Sequence, residues 1–177
     1  IDAISQEPFE GAVPDSAIVA FFKDMKLPCP SHYNQTRLLR LSERAAKDLL
    51  QRAWDALAYQ HDMLRAVFKD EALFVQSPDV TTEIEEYTVD ADKTEAVTAI
   101  CERIQTGIDM EKRLVRTALI HGVKDDYYYI AVHHLVIDGV SWRIILSDLE
   151  TAYGQVLKGE EIHLPSKTNT YNDYARA

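Results

Sequence analysis

The run from Leu114 to Leu157 constrains the fold most, because it reads as two strands and a helix in direct succession. Leu114 to His121 and Tyr127 to His134 are rich in β-branched and aromatic residues, and Gly122-Val123-Lys124-Asp125-Asp126 suits a hairpin loop between them. From about Val140 to Leu157 the apolar period becomes helical, and Gly159 lies just beyond. His133 and His134 close the second strand, and Asp138-Gly139 follows. An imidazole is thereby set at the mouth of a strand-to-helix turn, where it can meet a substrate. Histidine suits proton transfer near neutrality, with an unperturbed pKa of about 6.5.

The remaining segments fit around that unit. Ile1 to Pro14 reads as an extended lead-in, and Ser16 to Met25 as a helix with Ile18, Phe21 and Phe22 on its apolar side. Pro28 and Pro30 stop that helix, and Tyr33 to Leu41 reads as a strand. Ser42 is the expected N-cap of the next helix, whose apolar positions are Ala46, Leu49, Leu50, Ala53, Trp54 and Leu57. His61 to Phe68 becomes a strand that pairs with Ala72 to Gln76, and Glu83 to Val89 is a further strand. Asp92 with Glu95 has the spacing of a capping box, ahead of an apolar stripe at Val97, Ile100 and Ile104 that ends near Gly107. Pro165 to Thr170 reads as a linker and Tyr171 to Ala177 as the start of another helix. Alternating helices and strands with an antiparallel hairpin favour an α/β fold, a mixed sheet covered by helices, over a pure doubly wound fold.

Composition narrows the function classes. The formal net charge of −10 over 177 residues argues against a nucleic-acid backbone or an anionic membrane surface as partner. No apolar run approaches the roughly 20 residues of a membrane span, and the first residues lack the layout of a secretory signal. Cys29 and Cys101 have no metal-like spacing and read as reduced thiols of a cytoplasmic protein, with a disulfide between them as the alternative. His32, His121 and His163 form no ligand spacing, so no metal is expected. Glu83, Glu85 and Glu86 read as a solvated strand face, with partner docking as the alternative.

The pattern HHxxxDG, here His133, His134, Asp138 and Gly139, resembles the active-site motif of the chloramphenicol-acetyltransferase-like superfamily. Its continuation through Val140-Ser141-Trp142-Arg143 most resembles the epimerization domains of nonribosomal peptide synthetases. The likeness extends to Gly11-Ala12-Val13-Pro14 with Phe21-Phe22, to His32-Tyr33-Asn34-Gln35, to His61-Asp62 with Leu64-Arg65, and to Leu164-Pro165 with Lys167-Thr168 and Thr170-Tyr171. Two places depart from the family pattern. Asp15-Ser16-Ala17-Ile18-Val19 replaces a Leu-Thr-Pro-Ile-Gln-like stretch, and Lys112-Arg113 stands where a Gly-Pro pair is common.

The resemblance implies a chloramphenicol-acetyltransferase-like lobe. Residues 1–165 would be the N-terminal lobe and 166–177 the inter-lobe linker and start of a second lobe, with the rest of that second lobe of the pseudo-dimer absent. It implies interconversion of L and D configurations at the α-carbon of a carrier-bound aminoacyl or peptidyl thioester, with the isolated chain inactive. His134 would be the catalytic base, and a glutamate of the second lobe would work across from it. Asp138 would pair with Arg65 and hold the turn, while His133 and Gly139 support the motif. Ser141, Trp142 and Arg143 would make substrate or turn contacts. Amides near Gly139 would serve the enolate oxygen, and Gly139 would permit a backbone conformation and a close substrate approach that a side chain would hinder. No cofactor would be bound directly, since the phosphopantetheine belongs to a peptidyl carrier domain. That carrier, the C-terminal lobe and adjacent synthetase domains are the implied partners.

Blander readings stand beside these. His134 on an apolar strand can be a hydrogen-bonded core residue, Trp142 core packing, Ser141 a cap, and Arg143 a surface charge. Tyr127, Tyr128 and Tyr129 read as ordinary strand residues. Two other functions remain open: a condensation-domain lobe forming amide bonds between carrier-bound units, and a non-catalytic docking lobe.

Overall fold

A computed structural model describes residues 4–90, 94–168 and 170–176. In chain order the elements are β1 (Gly11–Val13), α1 (Ala17–Met25), β2 (Asn34–Arg40), α2 (Lys47–Gln60), β3 (Ala66–Lys69), β4 (Ala72–Val75), β5 (Glu85–Thr88), α3 (Thr94–Thr106), β6 (Val115–His121), β7 (Asp126–His133), α4 (Gly139–Leu157) and α5 (Tyr171–Arg176). Short 3₁₀ turns at Pro30–His32 and Asp62–Arg65 lead into β2 and β3.

The expected hairpin forms the centre of a four-stranded sheet in the order β2-β7-β6-β5. β6 and β7 are antiparallel, with Val115 opposite Val132 and His121 opposite Asp126. β2 adds to the other edge of β7, also antiparallel, with Asn34 opposite His133 and Gln35 opposite Val132. β5 runs parallel to β6, as a strand must when a helix, here α3, carries the chain across between them. A smaller antiparallel sheet, β1-β4-β3, lies apart from it.

Alternation along β7 sends its side chains to two different cores. Tyr128, Ile130 and Val132 pack with Trp54 and Leu57 of α2 and with Trp142, Ile145 and Leu149 of α4. Tyr129 and Ala131 point the other way, into the core under α3 with Ala118, Ile104 and Ile120. A strand buried on both faces is a nearly continuous apolar run, which is why Tyr127 to Val132 carries no charged residue. A third core joins α1 to the small sheet through Val19, Phe22, Leu73 and Val75, and includes Leu135 from just after β7.

Two sequence expectations change, and a third falls outside the described residues. The buried side of α1 is Val19 and Phe22, while Phe21 is 60% exposed. Ser42 does not cap α2, which begins at Lys47 with Ala46 before it. The intervening residues are held off the helix by Asp126 at the start of β7, whose carboxylate accepts from Arg44 Nη1 at 2.5 Å and from the Ala45 amide at 2.8 Å. The expected Asp92–Glu95 capping box cannot be followed, because Asp92 lies outside the described residues.

Asp126 also meets His121 Nδ1 at 3.0 Å. Burial pushes its carboxyl pKa up, but the Ala45, Arg44 and His121 hydrogen bonds outweigh that and hold it below the usual range. A carboxyl whose folded pKa lies below its unfolded value, about 3.9, contributes stability that is present above that pH. The contribution is lost as pH falls through the folded value. Asp126→Asn is therefore expected to lower the urea midpoint at pH 7, by about 1–3 kcal/mol of unfolding free energy. The difference from the parent should shrink as the comparison moves from pH 7 to pH 3.

Cys29 is an exposed free thiol and Cys101 a half-buried one on α3, with burial pushing the Cys101 thiol up to about 11. Among the described residues no helix is long and apolar enough to cross a membrane.

Candidate active site

β7 ends at His133, and the chain turns through His134 to Ile137 before Asp138 opens α4. The two histidines have opposite fates because the strand alternation sends them to opposite sides. His133 is fully buried, with its ring edge-on to Phe22 at 5.3 Å between centroids. Its Nε2–H donates to the Pro30 carbonyl at 2.9 Å, and its Nδ1 accepts from the Leu135 amide at 3.2 Å. Burial lowers its pKa, only partly offset by the Pro30 carbonyl, so the ring is held neutral as a structural piece.

His134 is half-buried and stacks on Tyr33, with centroids 5.0 Å apart. Its backbone amide donates to the Tyr33 carbonyl at 2.8 Å, which anchors the turn to the entry of β2. Its Nδ1 lies 2.7 Å from the Ile137 carbonyl oxygen. A carbonyl can only accept, so Nδ1 carries the hydrogen and the lone pair of the neutral ring is on Nε2. Nε2 faces the side-chain amide nitrogen of Gln35 at 3.3 Å. The other end of that amide, Oε1, accepts from Trp142 Nε1–H at 2.8 Å. Arg37, two residues along β2, lies 4.5 Å over the Trp142 ring.

Trp142 is 1% exposed, so it belongs to the core between α4 and the sheet and reaches the site only through Gln35. Ser141 is a turn contact: its amide donates to Asp138 Oδ1 at 2.7 Å and its hydroxyl at 2.8 Å. These bonds from Ser141 hold the Asp138 carboxyl below the usual range. Arg143 is exposed and lines a groove of about 960 Å³ beside Ile137, Asp138 and Ser141. His134 does not line that groove, whereas His61 and the buried Asp148, bonded to each other at 2.7 Å, both do.

Several site expectations are corrected by this geometry. Asp138 does not pair with Arg65; it is the N-cap of α4 and its carboxylate is turned to Ser141. Arg65 is 3% exposed and sits with Asp62, its Nη2 being 3.1 Å from Asp62 Oδ1. Its other N–H groups donate to the carbonyls of Phe9, Ala58, Tyr59 and Gln76. The five donors of the guanidinium are all taken locally, which leaves none for Asp138. Two of the α4 amides expected to serve an enolate are engaged elsewhere. Ser141 is taken by the Asp138 carboxylate, with Val140 also turned toward it, and Trp142 donates to the Asp138 carbonyl. Gly139 has no left-handed φ, and a Cβ there would meet nothing within 4 Å, so its backbone conformation does not require glycine. Asp138→Ala is accordingly expected to cost about 1 kcal/mol, the loss of an N-cap, read from denaturant unfolding.

Tyr33 and Gln35 are the site residues that residue-by-residue reading of the sequence missed. Their signal was the His32-Tyr33-Asn34-Gln35 stretch, but its distance of about a hundred residues from His134 hid the contact until strand register was known.

The condensation-domain family model matches residues 20–177. The chain is 33% identical over 176 residues to gramicidin S synthase 1 of Brevibacillus brevis, covering 94% of the chain and 16% of that protein. To tyrocidine synthase 2 of Brevibacillus parabrevis it is 33% identical over 174 residues, covering 94% of the chain and 5% of that protein. The chain therefore spans a small part of the length of these curated relatives. Among solved structures, the epimerization domain from the third module of tyrocidine synthetase B superposes with a TM-score of 0.92 at 30% identity, over 97% of this chain and 41% of that one. The first condensation domain of the CDA synthetase gives 0.75 at 17% identity, over 92% and 44% of the two chains, a likeness of fold alone. Fold and site thus define a lobe of the chloramphenicol-acetyltransferase-like class. The chain belongs to the condensation-domain family.

Proposed function

We propose that this chain is the N-terminal lobe of an epimerization domain in a nonribosomal peptide synthetase. The substrate would be an aminoacyl or peptidyl thioester on the phosphopantetheine arm of a carrier domain, a neighbour in the same assembly. The observation that carries the reading is His134, whose Nδ1–H is fixed on the Ile137 carbonyl so that Nε2 holds a lone pair. His134 Nε2 takes the α-proton, and the electron pair of the C–H bond passes into the thioester as an enolate. Return of a proton to the opposite face, from a group outside this lobe, gives the inverted centre. Both steps need an acid–base pair with no net consumption of protons, and His134 is one member of it. The higher likeness to an epimerization domain than to a condensation domain supports this reading over amide formation.

Product analysis tests it. The intact domain is given a carrier loaded with an L-aminoacyl group, and the thioester is then hydrolysed and resolved on a chiral column. D product from a single loaded carrier is expected. Product that forms only when a second loaded carrier is added, and is an amide, would replace the reading with condensation.

A further inference from the structure

Outside the motif itself, the feature that bears most directly on the chemistry is a chain of bonds entering His134 from the sheet edge. Trp142 Nε1–H donates to Gln35 Oε1, the Gln35 amide faces His134 Nε2, and His134 Nδ1–H donates to Ile137. We infer that Gln35 is a positioning residue for His134, oriented by Trp142, and that its N–H holds the ring by facing the Nε2 lone pair until a substrate displaces it. The catalytic consequence rests on the epimerization reading; the geometric one does not.

The direction of each bond follows from what the atoms can do. An indole nitrogen only donates, so the atom of Gln35 beside Trp142 must be the oxygen. Gln35 therefore cannot turn its amide over without leaving Trp142 Nε1–H, in a core position, without an acceptor. Its nitrogen is thus presented to His134, and a donor facing Nε2 is compatible only with an unprotonated Nε2. At 3.3 Å the contact is long for a hydrogen bond, so it orients the ring at small energetic cost to a substrate that displaces it. The other neighbours are Tyr33 stacked on one ring face and the Asp138 carboxylate, already occupied by Ser141. Neither supplies a second donor to Nε2, which makes Gln35 the residue that selects the tautomer together with Ile137. Arg37 over the Trp142 ring braces the far end of the chain.

Ring ¹⁵N spectra of histidine-labelled intact domain test this without an activity assay, with His134→Gln used to assign the signals. The parent is expected to show His134 protonated at Nδ1 and unprotonated at Nε2 at pH 7.5. In Gln35→Leu the Nε2 resonance should move toward that of a lone pair without a donor. In Gln35→Glu a carboxylate replaces the donor, and His134 should be protonated at both nitrogens at the same pH. Trp142→Phe should reproduce part of the Gln35→Leu change, because the amide loses its anchor. In α-hydrogen exchange, Gln35→Leu should slow turnover about 10–100-fold with KM within about twofold. A parent ring protonated at Nε2, or ring shifts unmoved in both Gln35 variants, would overturn the assignment. Ring shifts that respond as expected in a domain that exchanges no α-hydrogen would keep the clamp and remove the epimerization reading instead.

Discussion

Arg65→Met is expected to lower the unfolding free energy by about 3–5 kcal/mol, which for a domain of this size is a fall of roughly 10 °C in Tm. The side chain is 3% exposed and donates to one carboxylate and four carbonyls. Those acceptors belong to the lead-in before β1, the end of α2, the turn before β3 and the residue after β4, so one guanidinium ties both sheets' surroundings together. Asp62 Oδ1 also accepts from the Phe9 amide at 3.0 Å and lies 3.4 Å from Lys167 Nζ. Methionine keeps much of the volume but leaves the buried carbonyls and the carboxylate without their shared donor. Urea unfolding measures the effect. A double-mutant cycle with Asp138→Ala separates this arrangement from the pairing the family resemblance implied. Two groups with no shared partner should add within about 0.5 kcal/mol, whereas a direct ion pair would be non-additive.

His134→Gln should remove about 10²–10⁴-fold of α-hydrogen exchange in the intact domain, the usual contribution of a positioned general base. Stability should change far less than with Arg65. The His134 ring makes one strong hydrogen bond, to Ile137, and one aromatic stack, to Tyr33, and both lie at a half-buried turn rather than in a core. His133→Gln should behave in the opposite way, costing stability because its ring fills a sealed pocket between Phe22, Tyr33 and the Pro30 carbonyl. Circular dichroism melts beside the exchange rates separate the two roles. Equal loss of stability in both variants would contradict the division between a structural and a reacting histidine.

Much of this was legible in the residues. The hairpin of β6 and β7, the helix after it and the apolar stripe of α2 are local patterns, and local periodicity fixes them. The different environments of His133 and His134 follow from strand alternation at the last residue of β7 and the turn just beyond. What stayed hidden depends on long-range register. Gln35 meets His134 only because β2 pairs antiparallel with β7 so that Asn34 falls opposite His133, and nothing within either segment dictates that offset. Arg65 and Asp138 carry opposite charges in shared motifs, which invites the idea of a pair. Each instead meets a partner three residues away, Asp62 and Ser141 respectively, and the remaining Arg65 donors go to the carbonyls of Phe9, Ala58, Tyr59 and Gln76. Ser42 failed as a cap because Asp126, more than eighty residues away, holds the Arg44 and Ala45 segment off the helix.

The central claim is that His134 Nε2 removes an α-proton, and exchange in heavy water reads that step alone. The intact domain and its His134→Ala variant are incubated in D₂O with a carrier loaded with an L-aminoacyl or peptidyl group, and the released acid is weighed by mass spectrometry. Deuterium at the α-carbon with the parent, and its loss with the variant, is the expected result. A well-folded parent that leaves the α-hydrogen in place, or a variant that exchanges as fast as the parent, would contradict the account.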